Sequence, residues 1–165
     1  MKSNWVIVRN SLRVAIVFLV VISYSSFCWA WKGKVVRVVD GDTIIVIHKN
    51  KNVRVRLYGI DTPELTQWYG QNAKKFISSQ ILGKEVAIEP MAIDRYGRIV
   101  ALVFLGNVVV NELLVSHGYA WVYGRYCTKG FCSKWKRLER RARKKKKGLW
   151  KNPNVIPPWK YRHLN

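Results

Sequence analysis

The segment Val53-Arg54-Val55-Arg56-Leu57 alternates apolar and basic side chains with period two. That alternation commits it to a half-buried strand, with one face on a core and the other toward polar surroundings. Two further strand patterns precede it. Val35, Val36, Val38 and Val39 run into Asp40-Gly41-Asp42-Thr43, and 44–47 follows. β-branched residues dominate both stretches, as strands prefer. Lys49-Asn50-Lys51-Asn52 is a polar turn, so the three runs read as a meander.

After Leu57 the pattern changes. Asp61-Thr62-Pro63-Glu64 interrupts the strands, because proline lacks a ladder donor. Ala73, Phe76, Ile77 and Ile81 then predict a helix over about 69–82 with one apolar side, stopped by Gly83. Residues 85–89 and 99–105 read as a fourth and fifth strand, the latter ending at Gly106-Asn107. A second helix is expected over 109–117, closed by Gly118. A third is expected over 133–147, with Ser133 as N-cap and Gly148 as C-cap. Asn152 onward holds Pro153, Pro157 and Pro158 and reads as an irregular tail over 153–165. Five strands with a helix between the third and fourth predict an α+β fold. The architecture expected is a five-stranded Greek-key barrel of the OB type with three helices, which commonly presents a nucleic-acid-binding face.

The N-terminus carries a different signal. Lys2, Arg9 and Arg13 precede the apolar run 14–24, and Cys28-Trp29-Ala30 ends in small residues at a cleavage-site spacing. That layout is a signal peptide over 1–30, cut before Trp31, with the domain following over 31–152. A membrane anchor is the competing reading, but the run is shorter than the ~20 residues of a span. The expected location is periplasmic or secreted. Of the three cysteines, Cys127 and Cys132 remain after cleavage. Export favours a bridge between them over two free thiols.

Charge narrows the partner. The chain carries thirty Lys/Arg against nine Asp/Glu, a net +21. A polyanion is implied: nucleic acid, an anionic membrane surface or an acidic polysaccharide. Eleven Lys/Arg and one Glu fall between Lys134 and Lys151. This run reads both as a solvated helix face, with Leu138 and Ala142 inward, and as long-range attraction for nucleic acid. An interfacial membrane helix needs a large apolar face, and Ala142 is the only apolar residue between Arg140 and Lys147.

Acids are the rare class here, and four of the nine fall in two short turns: Asp40 and Asp42, then Asp61 and Glu64. Hard oxygen ligands on tight turns suit Ca²⁺ or Mg²⁺, although Asp-Gly and Asp-Thr-Pro are also ordinary turn sequences. Arg56 and Arg98 offer guanidinium groups, which are bidentate phosphate ligands when they are not solvated surface charge.

In order and spacing, these segments resemble the staphylococcal nuclease (thermonuclease) family from about Lys34 to Trp150. The matching stretches are Val39-Asp40-Gly41-Asp42-Thr43, Val55 to Glu64, Tyr69-Gly70-Gln71-Asn72-Ala73, Asp94-Arg95-Tyr96-Gly97-Arg98 and Val110-Asn111-Glu112-Leu113-Leu114. The last is Glu139-x-x-Ala142-Arg143 leading to Gly148-Leu149-Trp150. The resemblance implies a calcium-dependent endonuclease acting on DNA and RNA, leaving 3′-phosphates and working as a monomer without stable membrane association. It implies Asp42, Asp61 and Thr62 as Ca²⁺ ligands, Thr62 through its carbonyl, and Asp40 as a supporting acid. Glu64 matches the general base, and Arg56 and Arg98 the arginines gripping the scissile phosphate. Arg95, Tyr96, Tyr123 and Tyr126 match or approximate substrate-binding positions, but the spacing around Cys127 and Cys132 departs from the type member. The competing function is a non-catalytic OB nucleic-acid-binding protein.

Overall fold

The computed structural model describes residues 30–164. The signal-peptide segment lies outside the described residues. Strands β1 (Trp31–Val38), β2 (Thr43–His48) and β3 (Lys51–Leu57) form the antiparallel meander. The β2–β3 hairpin turns on Lys49 and Asn50, both at positive φ, as a two-residue turn matched to strand twist requires. A short β4 (Ile60–Asp61) follows, then helix α1 (Gly70–Ile81). β5 (Glu85–Ile93) and β6 (Ile99–Leu105) complete the sheet, with β7 (Val108–Val109) extending β6. The strand order is β3-β2-β1-β5-β6, and β3 pairs again with β6 in parallel. That last pairing closes a five-stranded mixed barrel, so no central edge is left unpaired.

The barrel interior follows the pleat. Ile44 and Val46 of β2, Val55 and Leu57 of β3, Ile88 of β5 and Val103 of β6 are all buried. Arg54 and Arg56 point to the other face of β3. Val36 faces outward by the pleat, and a bulge between Val35 and Arg37 shifts the register so that Val38 returns to the core face. Val35 and Val38 are buried while Val36 is exposed.

Helix α2 (Val110–Ser116) and the two-residue β8 (Trp121–Val122), paired with β4, lead to α3 (Cys132–Lys144). Cys127 and Cys132 are bridged, with Cα atoms 5.7 Å apart. A 3₁₀ turn (Gly148–Lys151) buries Leu149 and Trp150 against Trp121 and Ala142.

Several boundaries differ from the sequence expectation. α3 begins one residue before Ser133, whose side chain caps nothing. It ends at Lys144, not Lys147. Lys146 adopts φ 48°, its amide donates to the Arg143 carbonyl, and the Lys147 amide donates to Ala142. That pattern is a Schellman ending built on lysine. Gly148 therefore opens the next turn and does not close the helix. The tail is not irregular throughout: Pro158–Tyr161 forms a fourth α-helix among the described residues, α4.

Candidate active site

Two short connections meet at one end of the barrel. The turn 39–42 leads into β2, and Leu57 N donates to the Asp42 carbonyl at 2.8 Å, bringing Asp42 to the end of β3. Arg56 is opposite Thr43 in the β2–β3 register. β4 then places Asp61 five residues beyond Arg56.

Gly41 makes this junction fit. A Cβ there would come within 2.6 Å of Thr62 Oγ1 and 3.0 Å of Ala73. With glycine, the two turns close on each other. The Asp42 carboxylate then accepts from Thr62 N at 2.7 Å and from Thr62 Oγ1 at 2.9 Å through Oδ2. Asp40 supports the same turn by accepting from Asp42 N at 3.0 Å.

Arg56 lies between the two buried aspartates. Its Nη2 donates to Asp61 Oδ1 at 2.7 Å, and its Nη1 pairs with Asp42 Oδ1. The Asp42, Asp61 and Arg56 side chains are 7%, 2% and 15% exposed, so these charges interact with little water between them. Burial pushes the Arg56 pKa below the ordinary guanidinium value against the attraction of Asp61 and Asp40, and the charge of Arg98 adds to the lowering. It stays cationic, as guanidinium does in proteins.

Arg98 reaches the neighbourhood through β6, since Val55 and Arg56 of β3 lie beside Ile99 and Val100. Its Nε donates to Asp94 Oδ2 at 2.7 Å. Arg95 and Arg98 both sit over the exposed Tyr96 ring, 4.9 and 5.4 Å from its centre, and Arg95 also donates to the Tyr96 hydroxyl at 2.7 Å. Glu64 stands at the rim, 38% exposed. Gly70 packs directly on the Glu64 backbone, where a Cβ would collide with its carbonyl oxygen. The Glu64 amide donates to Gln67 Oε1.

Tyr123 and Tyr126 occupy a separate turn after β8. The Tyr123 ring stacks on Trp159 of α4, 4.9 Å between centres and 2° from parallel. Tyr126 meets its edge. One face of Tyr123 is thus covered by protein, while Tyr126 is exposed.

One participant has no counterpart in the sequence expectation. Arg162, just after α4, donates to Glu64 Oε1 at 2.6 Å and to Asp61 Oδ2 at 2.9 Å. Burial opposes its charge, but hydrogen bonds to Asp61 and Glu64 outweigh that and raise its pKa. Nothing local marks this residue, since its partners lie 98 and 101 positions away.

The donors around Asp42 and Asp61 are all oxygen. Such a set fits a hard divalent cation and not zinc or copper. Among the described residues, no three His, Cys, Asp or Glu side chains form a complete ligand cluster. A cation seated on the two carboxylates would therefore draw its remaining ligands from a backbone carbonyl, water and substrate oxygens.

The chain matches the family model described as staphylococcal nuclease homologue over residues 54–152. It is 40% identical over 146 residues to an uncharacterized endonuclease of Escherichia coli, covering 88% of this chain and 94% of that protein. It is 36% identical over 163 residues to a micrococcal nuclease of Shigella flexneri, with 92% of both chains covered. Barrel, acid–arginine cluster and relatives together define a nuclease, a hydrolase acting on nucleic acid. Within that class, the chain belongs to the staphylococcal nuclease homologue family.

Proposed function

We propose that this nuclease is an exported, calcium-dependent endonuclease that cleaves DNA and RNA to 3′-phosphate products. The observation that carries this reading is the pair of buried carboxylates, Asp42 and Asp61, converging on Arg56 beside the exposed Glu64. Asp42, Asp61 and the Thr62 carbonyl would hold the metal. When bound, Ca²⁺ supplies Lewis-acid polarisation of the phosphate and orientation of the attacking water.

The chain's own residues do the rest. Arg56 and Arg98 bind the scissile phosphate and stabilise the charge that builds on its oxygens in the transition state. Glu64 accepts or directs the proton of the attacking water. Asp94 orients Arg98, as Asp40 orients the Asp42 turn. Tyr96, with Arg95, borders the path of the nucleotide, and Tyr126 offers an exposed ring for a base. Backbone phosphate contacts carry no sequence information, which favours activity on both nucleic acids. The leader-like segment supports export to the periplasm or beyond. No helix among the described residues is long and apolar enough to cross a membrane. We read the enzyme as a monomer.

The test is plasmid digestion with Ca²⁺, Mg²⁺ or chelator, followed by end-group analysis. Cleavage in Ca²⁺ with 3′-phosphate ends is expected, and full activity in chelator would refute the metal assignment. Glu64→Gln should reduce turnover by about 10²–10⁴-fold, the usual contribution of a general base, while DNA binding survives. Unchanged turnover would remove Glu64 from the chemistry, whereas DNA binding without any cleavage by the wild-type protein would favour the competing reading, a binding module.

A further inference from the structure

The guanidinium of Arg162 lies on the oxygens that the proposed reaction needs. Asp61 Oδ1 is engaged by Arg56 at 2.7 Å and Asp61 Oδ2 by Arg162 at 2.9 Å. Arg162 Nη1 also approaches Asp61 Oδ1, at 3.4 Å, and takes Glu64 Oε1 at 2.6 Å. Asp61, one of the two carboxylates assigned to metal binding, and Glu64, assigned to the attacking water, are therefore bridged by Arg162.

The segment that carries Arg162 is fastened to the domain at several points. Pro158 is buried, and Trp159 stacks on Tyr123 and meets Trp121 edge-on at 6.4 Å. The Tyr161 hydroxyl lies 3.2 Å from Thr66 Oγ1, and Gln67 Nε2 donates to the Ile156 carbonyl at 3.1 Å. Thr66 and Gln67 belong to the loop that carries Glu64. The fastening thus delivers Arg162 to one place. The two contacts of Arg162 differ: its pair with Glu64 is exposed on both sides, 43% and 38%, whereas the Asp61 carboxylate is only 2% exposed. The exposed pair opens readily and is screened by salt, and the entry of a cation on Asp61 must displace the other.

We propose that residues 156–164 form a strap that seats Arg162 on Asp61 and Glu64 as an internal cation, in competition with divalent metal. The proposal rests on the calcium reading above. A divalent ion on Asp61 is repelled by both guanidinium groups there; Arg56 is enclosed between Asp42 and Asp61, 15% exposed, while Arg162 is 43% exposed, so metal binding moves Arg162 out to solvent. Release also frees Glu64 for the water. Removing the strap's charge strengthens metal binding by whatever displacing Arg162 costs, because coupling between competing ligands is reciprocal.

The experiment titrates Ca²⁺ alone into chelator-stripped protein by calorimetry, comparing wild type, Arg162→Gln and Arg162→Lys, each checked for native circular dichroism. Arg162→Gln is expected to bind Ca²⁺ roughly tenfold more tightly, a mid-range coupling, with Arg162→Lys between it and wild type. In wild type, Ca²⁺ should also speed tryptic cleavage after Lys160 and Arg162. Equal or weaker Ca²⁺ binding by Arg162→Gln overturns the strap and leaves the calcium reading standing. No binding to any of the three overturns both. A fall in turnover of Arg162→Gln at saturating Ca²⁺ would also overturn it, by placing Arg162 on the substrate.

Discussion

Asp94 shows how one carboxylate can organise a loop that reaches the site. It accepts from Tyr96 N at 2.9 Å, Arg98 N at 3.0 Å and Arg98 Nε at 2.7 Å. Partial burial opposes its ionisation, but the bonds to Arg98 and Tyr96 outweigh that and hold its pKa below the ordinary carboxylate value. A lowered folded-state pKa contributes stability that is fully present above the unfolded value of about 3.9 and is lost as pH falls through the folded value. Asp94→Asn should therefore be less stable than wild type at pH 7. The gap in denaturant midpoint should close as pH drops below about 4, and a gap independent of pH would contradict the assignment. Legibility at this scale follows sequence distance. Asp42, Arg56, Asp61, Thr62 and Glu64 lie within 23 positions, on turns and a strand whose signals are local, and the structure brings them together. Tyr123 could be placed on a late loop, but Trp159, which covers its ring, could not be foreseen. Arg162 is further still: an arginine among thirty basic residues, distinguished only by contacts across 98 and 101 positions.

Helix α2 and strand β6 pack through a shared apolar core and are hydrogen-bonded through one buried side chain. Asn111 is fully buried, accepts from Val103 N at 3.0 Å and donates to the carbonyls of Tyr58 at 3.0 Å and Ala101 at 3.2 Å. It ties the helix to the barrel strand and to the turn between Arg56 and Asp61. Asn111→Ala would leave Val103 N buried without its partner, and each such orphan costs about 1–3 kcal/mol. A loss of roughly 3 kcal/mol of unfolding free energy is expected in urea. A change below about 0.5 kcal/mol would show that the cavity fills with water or repacks. Element existence was legible because period two and the apolar helix face are strong local patterns. Element ends were less so. β5 runs on to Ile93, through a register shift between Pro90 and Ala92. α3 ends at Lys144 and is closed by Lys146 in a left-handed conformation that glycine would adopt more readily, and Gly148, the residue that looks like the stop, is used to bring the chain back onto Gly118. Tertiary packing of Leu149 and Trp150 sets that boundary, and local propensity does not report it.

Over the whole molecule, charge is segregated by function. Asp40, Asp42, Asp61 and Glu64 are drawn into one end of the barrel, while lysine and arginine cover α3 and its C-terminal extension, where Lys136, Arg137, Arg140, Arg141 and Lys144 to Lys147 are all exposed. α3 buries Cys132, Trp135 and Ala142 on its inner side. Trp135 Nε1 donates to Glu112 of α2 at 3.0 Å, and Lys134 pairs with the same carboxylate. The basic run is therefore both a packed helix and a charged surface. α3 packs its inner side on β8, whose partner strand β4 carries Asp61, and its exposed outer charge can draw a polyanion to the domain. Displacement of counterions from phosphates makes such attraction steeply salt-dependent, with a slope of about −0.9 per phosphate neutralised on duplex DNA. Raising NaCl from 50 to 200 mM should weaken duplex binding about 10³-fold if roughly six phosphates are contacted. Replacing Lys144, Lys145 and Lys147 together by Gln should flatten the slope of log K against log salt by up to about 3, without creating sequence preference. Fluorescence anisotropy on duplexes of different sequence measures both quantities. An unchanged slope would place α3 outside the nucleic-acid footprint and leave Arg56, Arg98 and the Tyr96 loop as the principal phosphate contacts.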